Sequence, residues 1–490
     1  MKLKNIFICL ILTVCIFLSA CGKGSEDDSV NPDFGGELDL FAYTPDTLNP
    51  LLTVHQTNAA VFSLIGESPL TLNNDMTVSC NIAENYTCND DASVWTFNIK
   101  KGCVFSDGSM LTAENVINSI DMLRSSPKNM YYPLMTYVKS YRAISDYSVE
   151  ITLKIKGNTF LSYMNFPVIK SRSEMVGSGA YIIESEDKDN IVLKASDTKK
   201  TNIETINVHI YPKNDMEVNA YMSNETDVIS ADFYQLAELS TSNRSTQTEY
   251  ISDFFTYLGF NTESETGGDI NIRKAVASLI DKEEIVQNIF VSHAKTTNSP
   301  YKPGTIYSNL VTNDYKYNIE KAQSYLADSE KTFEDISFSI LVNNETVGKK
   351  QVAEFIAAKL TQAGMDVSVN AVSYETYLQK IRDKDFVAFI AETKMPKDFD
   401  VSFMFSTSGN NFSYVKDSFT EALHGFIFSS NFEDKAKHSK TVQQILLNDV
   451  PIISLYYRTN TLFTDSSVTG DFDPLHDNIF NGLTQWKIKK

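Results

Sequence analysis

Few residues in this chain have the types and spacing that covalent chemistry needs. Two serine–lysine spacings occur, Ser125-Ser126-Pro127-Lys128 and Ser196-Asp197-Thr198-Lys199. An S-x-x-K pair activates a serine in penicillin-recognising enzymes, but neither pair comes with an S-D-N or K-T-G partner, and Pro127 breaks the helix the first would need. No G-x-S-x-G elbow is present. His55, His209, His293, His424, His438 and His476 are scattered without the H-E-x-x-H spacing of a zinc peptidase. Gly470-Asp471-Phe472-Asp473 with Asp477 lacks the ligand order of an EF-hand and reads as an acidic surface turn. Gly177-Ser178-Gly179 resembles a phosphate cradle, but no helix pattern opens after it to hold an anion, and the two glycines instead suit a tight turn entering a strand. These patterns point to a non-enzyme that needs no cofactor and no metal.

The elements that would position a site are far more legible. Trp95-Thr96-Phe97-Asn98-Ile99 alternates apolar and polar residues and predicts a strand buried on one face. A second short strand is expected around Val104–Phe105, then a turn at Asp107-Gly108. Thr112 is expected to cap a helix that has Glu114 in its first turn, Val116, Ile117 and Ile120 on its buried stripe, and Asp121 facing water. Strands are expected at Glu37–Tyr43, Met76–Asn85, Ser148–Ile155, Ile191–Lys194, Ile206–Tyr211, Ile336–Val342, Met365–Val372, Asp385–Ile390 and Pro451–Tyr457. A helix over Lys349–Ala363 that stops at Gly364 just before a strand predicts a βαβ unit and a mixed α/β fold.

With 490 residues the chain is too long for one ordinary domain. Its net charge of −19 argues against nucleic acid or an anionic membrane surface as a partner. The N-terminus carries a targeting signal: Lys2 and Lys4, then an apolar run from Ile6 to Leu18, too short to span a membrane. Leu18-Ser19-Ala20-Cys21 resembles the bacterial lipobox, which implies cleavage before Cys21 and a lipid anchor on it. Residues 22–35 are small, polar and acidic and read as a flexible tether. After cleavage Cys80, Cys88 and Cys103 remain with Cys21; Cys80 and Cys88 are close enough in sequence to bridge, and spacing alone leaves that open.

The run from Trp95 to Val116 resembles the signature of family 5 of the extracytoplasmic solute-binding proteins, the oligopeptide- and dipeptide-binding proteins of ABC importers. Trp95, Phe97, Lys101, Gly102, Phe105, Ser106, Asp107, Gly108, Leu111, Thr112, Ala113, Glu114 and Val116 fit the phrase, with Cys103 where Val is usual and Asn115 where Asp is usual. Gly177–Tyr181, Tyr257–Asn261, Asp269–Val276 and Asn318–Leu326 are similar to further landmarks of the family, in the right order over nearly the whole mature chain. The resemblance implies a two-lobed periplasmic-binding-protein-like fold (type II, cluster C type), with mixed sheets flanked by helices, a hinge between the lobes and an extra small domain. The expected division is signal peptide 1–20, tether 21–35, lobe I from 36–55, 171–250 and 458–490, domain II from 56–170, and lobe II from 251–457.

The same resemblance implies the site. Thr53, Val54, His55 and Gln56 lie in the connection after the first strand, and Tyr132 falls where family members put a tyrosine over the ligand. Glu392, Thr393 and Lys394 follow the strand Asp385–Ile390, where an Asp that pairs with a peptide amino terminus is usual; Pro396 aligns near it, and Asp398 or Glu392 would substitute. Arg458 after Tyr457 would suit a carboxylate or phosphate. Each position also reads as a loop or packing residue without ligand contact. The implied function is a monomeric, lipid-anchored binding subunit on the outer face of a bacterial cell membrane. It would capture a small solute, an oligopeptide, by hinge closure and deliver it to an ABC permease and ATPase. The alternatives are a sensor or other lipoprotein of the same fold, for an oligosaccharide or metal chelate, and a surface hydrolase.

Overall fold

The computed structural model describes residues 34–172, 175–212, 216–239, 245–308, 310–311, 315–406, 411–475 and 477–489. The signal segment, Cys21 and the tether up to residue 33 lie outside the described residues. The architecture is mixed α/β, as the helix–strand alternation predicts. Among the described residues no helix is long and apolar enough to cross a membrane.

Three larger sheets organise the chain. The first has the order Glu37–Tyr43, Thr205–Tyr211, Asn190–Ala195, Tyr181–Glu186, with its first pair parallel and the others antiparallel. The second is antiparallel, in the order Ala83–Cys88, Val94–Ile99, Ser148–Leu153, Val138–Ser145. Trp95, Phe97 and Ile99 are buried on one of its faces, where both aromatic rings meet Phe160 edge-on. The helix Ala113–Arg124 packs beside this sheet through Val116 and Ile120. Its N-terminus is closed by Thr112 together with Asn115, whose side-chain oxygen accepts from the Thr112 backbone N–H at 2.8 Å. The Asn that departs from the usual motif therefore completes the capping box.

The third sheet has seven strands. Its main path is Val228–Asp232, Ile452–Asp465, Ser245–Phe260, Ala388–Lys394, Ser337–Asn343, Asp366–Val372, and Ala294–Thr296 adds to the Ile452–Asp465 strand. Ser337–Asn343 and Asp366–Val372 run parallel, joined by the helix Val347–Gln362, with Gly364 at φ +112° after it. This is the expected βαβ unit. Ser245–Phe260 and Ile452–Asp465 are the longest strands and pair with each other through register shifts at Ile251/Phe255 and Thr256/Tyr257.

Several expectations need correction. Val104 forms only an isolated bridge to Met110. Met76–Asn85 is not one strand: Val78–Cys80 pairs with Leu70–Leu72, and Ala83–Cys88 pairs with Val94–Ile99. The strand expected at Asp385–Ile390 runs Ala388–Lys394, and the strand expected to end at Tyr457 continues to Asp465. Cys80, Cys88 and Cys103 are all thiols. The chain bends at Ser178–Ala180 into the strand Tyr181–Glu186, as expected, and Gly177 and Gly179 also permit close packing there. A Cβ at Gly177 would lie 1.7 Å from the Ile65 carbonyl oxygen, and one at Gly179 would lie 2.3 Å from that of Leu64.

This packing gives a prediction. Gly179→Ala must push two backbone segments apart and should destabilise the protein by about 3 kcal/mol or more in urea unfolding. Gly102→Ala, where φ is +88° and no atom lies within 4 Å, should cost only about 1 kcal/mol. Equal costs would contradict the close-approach account.

Candidate functional site

The most built-up concavity begins where the strand Ala388–Lys394 leaves the seven-stranded sheet. The chain continues through Met395-Pro396-Lys397-Asp398 and faces the segment that follows the helix Ala113–Arg124, around Met130, Pro133 and Tyr137. Between them lies a cavity of about 520 Å³, lined also by Gln56, Tyr163, Asp253, Asp400 and Asp477. A second cavity of about 540 Å³ shares Tyr137 and Asp400 with it and extends past Lys154, Ser402 and His424. A third, of about 240 Å³, shares Gln56 and Asp477 with the first and is walled by Glu217, Ser230, Tyr250 and Asn460. The first thus adjoins both of the others, which share no lining residue with each other.

Acidic groups dominate the central cavity, and each is held by specific partners. Asp398 is 2% exposed; it accepts from the Tyr137 hydroxyl, and its Oδ1 accepts from the Asp400 backbone N–H at 2.9 Å. Burial, then the neighbouring Asp398, raises the carboxyl of Asp400 above the ordinary range, opposed by Ser402, whose N–H donates to Asp400 Oδ1 at 2.8 Å. Burial, then Asp398, raises the Tyr137 and Tyr163 hydroxyls far above theirs. Behind these acids Lys435 is 1% exposed, with Nζ 4.6 Å from the centre of the Phe426 ring and donating to Thr159 Oγ1 at 3.2 Å. Burial pulls the Lys435 ammonium down to about 8, against the upward pull of Asp398 and Asp400. Asp253 pairs with Lys302 at 2.8 Å and Asp477 pairs with Lys397. Among the described residues no three His, Cys, Asp or Glu side chains are placed to hold a metal ion.

The residues expected from the sequence divide into three groups. Gln56 and Lys394 line the central cavity, where Lys394 Nζ lies 3.4 Å from Gln56 Oε1. Thr53, Val54 and His55 form the turn before the helix Gln56–Phe62, held by Asp46: Thr53 Oγ1 donates to it at 2.6 Å and the Val54 N–H at 3.2 Å. Val54 and His55 are exposed outside the cavity lining. Glu392 and Arg458 meet each other. Arg458 Nε lies 2.8 Å from Glu392 Oε2, off the hydrogen-bonding direction, while its guanidinium stacks 4.5 Å from the centre of the Phe254 ring and reaches Asp232 at 3.8 Å. The positive charge expected to meet a ligand is thus answered within the protein. Glu392, Thr393 and Lys394 sit inside their strand, paired with Thr256, Phe255 and Phe254, rather than after it. Tyr457 is fully buried and its hydroxyl donates to the Pro300 carbonyl. Tyr132 is half-buried against the core beside the second sheet, and Tyr137, five residues on, faces the cavity. The mismatch is geometric: a short helix, Leu134–Tyr137, turns the chain just there.

No motif signals Asp253, Tyr163 or Asp400, and Asp477, expected in an acidic surface turn, lies on the cavity lining paired with Lys397. Asp253 lies within a register shift of the Ser245–Phe260 strand, where a bulge re-aims a side chain.

Comparison with known proteins accords with this geometry. The model of the bacterial extracellular solute-binding proteins, family 5 Middle, matches residues 77–413. The oligopeptide-binding protein AppA of Bacillus subtilis (strain 168) is 21% identical over 100% of this chain and 99% of its own length. Heme-binding protein A of Haemophilus influenzae is 24% identical over 76% of this chain and 77% of its own. The solved unliganded open form of the periplasmic murein tripeptide binding protein MppA shares the fold, with a TM-score of 0.80 at 16% identity over 92% of this chain and 97% of that one.

Lys435 supplies the prediction here. Its ammonium titrates lower in the folded chain, about 8, than the ordinary 10.5, so between those values the unfolded chain binds more protons. Stability from this group should therefore rise as pH increases from about 8 towards 10. Lys435→Met should abolish that rise. It should also destabilise the protein at pH 7 by about 3 kcal/mol, because Asp398 and Asp400 lose their buried counter-charge. Denaturant titrations of both forms at pH 7, 8 and 9.5 check this, and parallel pH profiles would contradict it.

Proposed function

The chain belongs to the bacterial extracellular solute-binding proteins of family 5, and from that premise we propose that it captures oligopeptides for an ABC importer. The observation that carries the peptide reading is the series of three cavities, the first sharing lining residues with each of the other two. Such a series favours an extended ligand over a compact one, and a site of this kind buries most of the ligand it takes. The relatives named for oligopeptides and a murein tripeptide support the same class. The protein acts by binding and release, without catalysis.

In this reading residues 36–55, 171–250 and 458–490 form lobe I, 56–170 an added domain II, and 251–457 lobe II. The proposed boundaries at 250/251 and 457/458 lie beside the register shift between the two longest strands, which supports a hinge there. Gln56 and Asp477 would meet the ligand from one side and the segment Lys394–Asp400 from the other, so closure would enclose it. Cys21 would carry the lipid that keeps the monomer at the outer face of the cell membrane, within reach of its permease.

Trp95 and Trp486 are both fully buried and line none of the three cavities, so unfolding reports on the ligand better than tryptophan emission does. A random peptide pool should raise the thermal midpoint saturably, since occupancy at a hundredfold Kd adds about 2.7 kcal/mol. Tyr137→Ala should weaken that response about tenfold or more, through lost stacking area and a broken contact with Asp398. No shift with peptides, or an unchanged response in the variant, counts against the reading.

A further inference from the structure

The third cavity has a character of its own. At about 240 Å³ it is too small for a run of peptide and large enough for one long side chain. Its lining is polar: Glu217, Ser230, Tyr250, Asn460, Gln56 and Asp477 all face it, and no lysine or arginine does. Most of that polarity is already answered. The Ser230 and Tyr250 hydroxyls bond each other at 2.6 Å, and Asp477 is paired with Lys397. Glu217 differs. Among the described residues its side chain takes one hydrogen bond, a long one from the Tyr43 hydroxyl, 3.4 Å from Oε2, and no described lysine, arginine or histidine forms an ion pair with it. Burial raises its carboxyl to about 7, with only the Tyr43 contact pulling the other way. Glu217 is half-buried, and a carboxylate partly withdrawn from water without a counter-charge carries a cost that a matching cation would offset.

We infer that this cavity is a subsite for a cationic group of the ligand, the ammonium of a lysine-like side chain or the guanidinium of an arginine, with Glu217 as its counter-charge. The inference rests on the peptide reading above and sharpens it: the protein selects peptides that carry a basic residue at one position, while the central cavity takes the backbone. Gln56 and Asp477, shared by both cavities, mark where such a side chain would turn off the central cavity.

The test presents the full chain with equimolar pentapeptides Ala-Ala-X-Ala-Ala, where X is lysine, arginine, norleucine or glutamine. Retained members are quantified by mass spectrometry. Cadaverine binding is followed separately by ligand-detected NMR. The wild type should retain the lysine and arginine members about tenfold over norleucine, the ratio of one charge-assisted contact. Glu217→Gln, of nearly the same shape, should retain all four alike. Retention without a cationic preference, or a preference that survives Glu217→Gln, overturns the subsite and leaves the peptide reading standing. No peptide retained, but cadaverine bound by the wild type and not by the variant, overturns the peptide reading and keeps the subsite. Binding of neither probe overturns both.

Discussion

The paired strands Ser245–Phe260 and Ile452–Asp465 are the constraint on which the other parts depend. At one end they take Val228–Asp232 as a neighbour, and at the other Ala388–Lys394. The two ends of this sheet segment are thus joined by paired strands rather than by loops. The register shift at Ile251/Phe255 lies where the neighbours change. A bulge there strengthens local twist and leaves residues unpaired. Asp253 occupies that interval and faces the central cavity, held by Lys302. One irregularity in one strand pair therefore places one of the acids on the cavity lining.

The electrostatics follow from that placement. Taking carboxylates out of water is tolerated only where cations or donors answer them. Lys302 and Lys435 answer Asp253 and the Asp398–Asp400 pair from outside the cavity lining, whereas Lys397 pairs with Asp477 on the lining itself. The lining thus carries both paired acids and the lysines Lys394 and Lys397. Arg458 and Glu392 follow the same rule farther along the strands, where each neutralises the other.

The scaffold was legible in the sequence because its signals are local. Period-two alternation at Trp95–Ile99, the cap at Thr112 and the Gly364 stop each depend on neighbours in the chain, and the structure has all three. The candidate site was legible only in part because it is assembled across long separations. Gln56 and Lys394 are in place, and Asp398, noted as a substitute for a missing aspartate, lies on the cavity wall. Tyr132 is the tyrosine the family resemblance points to, whereas Tyr137 lines the cavity, since spacing alone does not show where a four-residue helix turns. Arg458 was expected to wait for an anion; its partner Glu392 is distant in sequence and adjacent only through strand pairing. The bend at Gly177–Gly179 was legible, but the close approach by Leu64–Gly66 that also requires these glycines leaves no mark in the local sequence.

The central claim is that an extended solute occupies the central cavity and those adjoining it. Hydrogen–deuterium exchange with and without a saturating peptide pool tests it most directly, because protection maps contact along the chain. The account predicts slowed exchange in residues 130–137 and 394–403, which face each other across the central cavity. Protection absent from both segments, and found instead around Arg458 and Glu392, would contradict it.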